Sequence, residues 1–271
     1  MKPITSPIVP VVVALFCAAQ AHAMPTVAPG WDLLHTVQPT SFMNQSFVGV
    51  QLGSFDFGGG IGILPVGTTD TVVRRLAPAM VPGGSFPATA PPIPIELVAL
   101  QLQSALPIDL GAGLGYYFIT LQSARPGGGM LSAGQMTITF DRDTNPLMPI
   151  PVGSFNSFFD VFFDLRIGCL TCSIVFSGDL QISATNVPWG NLPPQNALEY
   201  TGVNRYLGGS NGNRDHDFWP EPIFETHPSG AQHTVVAATI PEPASWALML
   251  AGFGLTGAAM RRRHRTLVTA V

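Results

Sequence analysis

Short runs in which apolar and polar residues alternate recur along the chain, separated by glycine and proline, and helical spacing is scarce. The clearest run is 155–167. Phe159, Val161, Phe163, Leu165 and Ile167 fall on one face, and Phe158, Asp160, Phe162, Asp164 and Arg166 on the other. Successive strand side chains point to opposite faces, so this period of two places the first set in a core. The second face mixes phenylalanines with charges, which predicts a surface partly covered and partly wet. Residues 135–140 alternate as cleanly, with Met136, Ile138 and Phe140 in phase. Further β-type runs occupy 47–52, 69–76, 93–103, 116–122, 173–183 and 234–240. Pro94 marks an edge or entry position in its run. In 173–183, Ile174, Phe176, Leu180 and Ile182 share a face. Several short strands with Gly/Pro turns and few helices predict an all-β, β-sandwich-like single domain. Residues 184–232, rich in Asn, Pro, Gly and aromatics, are expected as a long loop insert. No regular internal repeat is present, which weighs against a solenoid.

The two ends read differently from this body. Lys2 precedes an apolar stretch at 8–19, and Ala21-His22-Ala23 gives the small-x-small pattern of a signal-peptidase site. Residues 1–23 are therefore expected to be a signal peptide, cut after Ala23. At the other end, 244–260 carry no charge. This is the short end of what spans a bilayer as a helix, since about 20 apolar residues cover the hydrocarbon core. Gly252, Gly254 and Gly257 are tolerated in such a transmembrane helix, and Trp246 suits the interface. Arg261, Arg262, Arg263 and Arg265 follow at once and should stay cytoplasmic, leaving the body outside. Pro241 and Pro243 begin the helix and leave an extended segment before it, which a processing enzyme can grip. A plain anchor with a proline-rich stalk fits the same physics.

Pro241-Glu242-Pro243, then Trp246-Ala247, then a short glycine-containing apolar run and the arginine cluster occur in order over 241–265. Together they resemble the PEP-CTERM sorting signal in its PEPxxWA form. The resemblance implies recognition by an exosortase, a membrane-embedded cysteine transpeptidase-like enzyme, and removal or exchange of the tail. It further implies transient anchoring in the inner membrane of a Gram-negative bacterium. Delivery to the envelope surface or extracellular matrix follows, in an exopolysaccharide, biofilm or floc context. Such tails are also catalogued as an ice-binding protein C-terminal domain, a label for the tail that does not make the body bind ice. Residues 266–271 extend past the arginines, further than such tails usually run.

Charge narrows the partners. The chain carries a formal −4, but the expected secreted body, 24–240, has seven arginines, no lysine and fifteen acids, a formal −8. That balance argues against nucleic acid, whose binding rests on cations neutralising phosphates. It fits a secreted protein kept soluble by negative charge. Cys169 and Cys172 are the only cysteines of the body. In an exported protein this pair predicts a local disulfide pinning a hairpin. Redox use would need a βαβ context, and zinc would need two more ligands.

Candidate chemistry is sparse. Gly208-Gly209-Ser210-Asn211-Gly212 fits G-x-S-x-G, but a nucleophile elbow needs a buried strand before it and a helix after it, and neither pattern flanks it. Asn211, Asn213, Asp215 and Asp217 offer oxygens at every second position, which can converge on calcium if the backbone turns. The EF-hand glycine and bidentate glutamate are missing, so a solvated turn also accounts for them. Asp141, Asp143 and Asn145 form a shorter case. Trp189, Tyr200, Tyr206, Phe218 and Trp219 stand beside amides and carboxylates, as in a sugar-binding face, or pack the insert onto the core. The expectation is a non-enzymatic structural or adhesive matrix protein needing no cofactor, calcium aside. Its partners are signal peptidase, an exosortase-type enzyme and exopolysaccharide. The alternatives are a hydrolase of matrix glycans or esters, and an ice binder. Thr137 and Thr139 have strand spacing, but an ice-binding face would need a ladder of such pairs.

Overall fold

A computed structural model describes residues 26–239, apart from 43, 59–61, 82–85, 123–131, 142–152, 191–202, 205–208, 211–217 and 227–231. The described chain is all-β, and no helix occurs among the described residues. Thirteen strands make one sheet. They are β1 (Gly30–Thr36), β2 (Thr40–Phe42), β3 (Gln45–Gly49), β4 (Thr71–Arg75), β5 (Ala88–Thr89), β6 (Ile93–Ser104) and β7 (Tyr117–Leu121). They continue as β8 (Ala133–Phe140), β9 (Gly153–Ile167), β10 (Ile174–Gly190), β11 (Trp219–Pro220), β12 (Ile223–Thr226) and β13 (Gln232–Ala237).

The pairings close on themselves. Starting from β10 they run through β12, β13, β1, β4 and β6, then through both β7 and β8 to β9, and so back to β10. The two separate sheets expected of a sandwich are thus one continuous sheet. The sheet closes at one end and is split at the other. Closure uses residues 183–184 of β10, which pair with β12. At the split end β2 and β3 hang from β6, and Phe42 meets Phe163 edge-to-face at 4.8 Å.

The core follows the alternation. In β9, Phe155, Phe159, Val161, Phe163 and Leu165 are buried, as are Met136, Ile138 and Phe140 in β8. Each such side chain contributes about 1.5–3 kcal/mol over leaving it in water. In β10 the phase changes. Ile182 and Ala184 point inward, then Val187 and Trp189 do. The register shifts there, and Asn186 takes φ 52° while its N–H donates to Asn156 Oδ1 at 2.7 Å. Asparagine tolerates this left-handed conformation better than most residues, and one extra residue flips every later side chain. This β-bulge corrects the expected insert. Residues 184–190 continue a strand, and β11 and β12 also belong to the sheet.

β1 departs from a legible strand because Asp32 takes an inward position while Trp31 and Leu33 face outward. Their outward face is covered by the hairpin of Ser54–Asp56 and Ile63–Pro65, where Trp31 contacts Phe55 and Phe57 edge-to-face at 5.6 and 5.5 Å.

Candidate functional site: the C-terminal junction

β13 is held on both sides, by β12 and by β1. Its exit is fastened as well. Ala238 N–H donates to Leu33 O at 2.8 Å. Thr239 N–H donates to Thr68 Oγ1 at 3.1 Å, and Thr68 returns its own N–H and hydroxyl to Thr239 O. The body therefore remains hydrogen-bonded up to Thr239, two residues before Pro241. A loop carrying Thr68 makes this clamp, and no local pattern in the sequence marks a contact across 171 positions.

Most residues singled out from the sequence lie outside the described residues. These are the sorting residues Pro241, Glu242, Pro243, Trp246, Ala247, Arg261, Arg262 and Arg263. Ala21 and Ala23 of the leader and the oxygen-rich Asn211, Asn213, Asp215 and Asp217 also lie outside, as does the expected transmembrane helix 244–260. Cys169 and Cys172 are described and form a disulfide with a Cα–Cα separation of 5.0 Å, in the turn between β9 and β10. Arg166 Nη1 donates to Cys172 O at 2.7 Å and ties the turn to the strand. Gly209–Ser210 is a short strand paired with Val203–Asn204, and the residues that follow Ser210 lie outside the described residues.

The aromatic cluster divides. Trp189, Phe218 and Trp219 are buried, and Trp189 Nε1 donates to Thr139 O at 3.2 Å. These three rings pack the core and cannot stack on a sugar in solvent. Tyr200 and Tyr206 lie outside the described residues.

Two buried polar clusters had no signal in the sequence. Arg75 Nε donates to Asp32 Oδ2 at 3.0 Å inside the core, with the guanidinium 5.1 Å from the Phe218 ring. Asp70, wholly buried, accepts from Thr36 N–H at 2.8 Å, Thr36 Oγ1 at 3.0 Å and Thr71 Oγ1 at 2.7 Å, with His35 Nδ1 at 3.1 Å. This hub joins β1 to β4. Its acceptors are occupied by structural donors, as buried carboxylates require. No group of three or more His, Cys, Asp or Glu able to hold a metal occurs among the described residues.

No curated protein and no solved structure matches the chain at a significant level. A family model of the PEP-CTERM protein-sorting motif matches residues 239–263. The match begins at the residue where the folded body makes its last described hydrogen bonds. The motif implies processing by an exosortase-type enzyme and export to the bacterial cell envelope. From Thr239 onward, then, this chain carries a PEP-CTERM sorting signal appended directly to an all-β body.

Proposed function

We propose that the chain is a structural or adhesive protein of the cell surface or exopolysaccharide matrix of a Gram-negative bacterium, and not an enzyme. It is exported through its leader, anchored transiently in the inner membrane by residues 244–260, and released by an exosortase. The observation that carries this reading is the sorting motif at 239–263, joined without a long linker to a body fastened at Thr239. The acidic, lysine-free body supports an exterior location, where calcium could bridge acidic turns and polysaccharide.

Two measurements test it. In the host, Pro241→Ala/Pro243→Ala should abolish accumulation of surface-exposed protein, read by protease shaving of intact cells. Unchanged surface display would refute sorting through this tail. The released wild-type protein should then bind the host's own exopolysaccharide saturably, assayed with calcium and again with chelator. Loss on chelation that Asp215→Asn/Asp217→Asn reproduces in the presence of calcium would support a calcium role for Asn211, Asn213, Asp215 and Asp217. No binding in either condition would sink the adhesive reading.

A further inference from the structure

Among the described residues, the half of β10 at the split end of the sheet is an open edge. There, 174–182 pair with β9 alone. Phe162 stands opposite Asp179. Its N–H donates to Ser132 Oγ at 3.1 Å, and its carbonyl accepts from Gln122 N–H at 3.1 Å. Both groups of Phe162 thus turn away from β10, and directly opposed residues of an antiparallel ladder share that orientation. Asp179 therefore turns its own N–H and C=O outward, and by alternation so do Ser177 and Gln181.

The same edge exposes large apolar side chains: Ile174 at 48%, Val175 at 37% and Phe176 at 47%. Open edges are ordinarily blunted by lysine, proline or inward-pointing charge. Residues 174–182 contain no lysine and no proline, and Asp179 is their only charge.

The segment is complementary to itself. Antiparallel pairing of two copies about Gly178 sets Ser177 opposite Asp179 and Phe176 opposite Leu180, within the regular part of the strand that ends at the register shift beside Val175. The outward-turned Ser177 and Asp179 then meet as a hydrogen-bonded pair, which satisfies the main chains of both copies. Phe176 meets Leu180 at the intervening position, where side chains approach most closely. The two Asp179 carboxylates become diagonal neighbours, whereas a register centred on Asp179 would oppose them directly. Leu180 and Ile182 also line an apolar groove with Thr40, Phe42 and Leu102 at the split between the layers. In this register the partner's Phe176 comes to lie beside Leu180, at the mouth of that groove.

We propose that residues 174–182 form a two-fold, strand-to-strand contact between two copies of this chain. The contact continues the sheet from one molecule into the next and removes the exposed apolar edge from water. Because both bodies are acidic, added salt should strengthen it.

Sedimentation of the full chain in detergent tests the proposal. Wild type should show a concentration-dependent dimer that tightens with salt. Asp179→Pro deletes an outward N–H, which edge strands tolerate, and should give a monomer with unchanged melting temperature. Phe176→Ser should weaken association about tenfold. The variant Ser177→Cys/Asp179→Cys should cross-link into dimers on oxidation, and Ser54→Cys, on an exposed hairpin, should not. A wild-type monomer at every concentration would overturn the proposal. So would a dimer indifferent to Asp179→Pro, which would move the contact elsewhere, the tail included. Capture of an extended peptide by a monomeric wild type would overturn it as well.

Discussion

Asp70 and the Asp32–Arg75 pair put ionisable side chains inside the core, where each depends on partners held by neighbouring strands. Gly49 shows how closely the Asp70 hub is fitted. A Cβ at that position would stand 1.9 Å from Asp70 Oδ2 and 2.8 Å from its Cγ. Gly49→Ala should therefore displace the carboxylate from its donors and cost about 3 kcal/mol, overpacking adding to lost hydrogen bonds. Denaturant unfolding measures this, and a loss under about 0.5 kcal/mol would contradict the described fit. Asp32→Ala leaves the Arg75 guanidinium buried without its carboxylate. It should cost about 3–5 kcal/mol, a melting-temperature drop of roughly 10 °C. Asp32→Leu/Arg75→Met should recover most of that loss, since an apolar pair of similar size avoids the desolvation of both ions. None of this is legible in the sequence, because an Asp or Arg looks the same whether its partner is 43 positions away or absent.

At the scale of the element, strands with unbroken alternation were readable and those with a phase change were not. β8 and β9 lie within a few residues of the runs 135–140 and 155–167. The run 173–183 stops where the bulge at Asn186 reverses the faces of β10, so the remaining seven residues looked like the start of an insert. The face of Ile174, Phe176, Leu180 and Ile182 also shows the limit of periodicity. Phe176, Leu180 and Ile182 keep the phase, yet Phe176 is exposed because β10 runs past the closed part of the sheet, and a second register shift beside Val175 sets Ile174 opposite Arg166, off the core face of β9. Alternation reports which residues share a face and not how far the opposing layer extends. The β9–β10 turn carries its own test. Closing the short loop between Cys169 and Cys172 should contribute about 2 kcal/mol by the chain-entropy model. Cys169→Ser/Cys172→Ser should therefore lower the melting temperature by roughly 4–8 °C under oxidising conditions, with no effect of reductant on the variant. A variant as stable as the oxidised wild type would remove the disulfide from any stabilising role.

Across the whole molecule, the last of the described strands is the closing strand. β13 joins β1 to β12, and without it the circuit of pairings opens. A chain ending after residue 240 should keep the melting temperature of the full-length protein to within about 2 °C. One ending after residue 230 should lose cooperative unfolding, as seen by circular dichroism. Equal stability of the two would mean that closure contributes nothing. The sorting motif thus begins at the end of the described body, and its removal should leave the fold whole. By itself the sequence determined the all-β class and the sorting tail. Both are written in local order: a period of two, turn residues, and a contiguous sorting motif. Only the tertiary structure decided that the strands close into one sheet. It also decided that Asp32 and Asp70 are buried with partners, that Trp189 and Phe218 serve the core, and that among the described residues 174–182 of β10 pair with β9 alone. Each of these depends on which distant strand lies alongside, and pairing partners are selected by the packing of the whole chain, which no local pattern records.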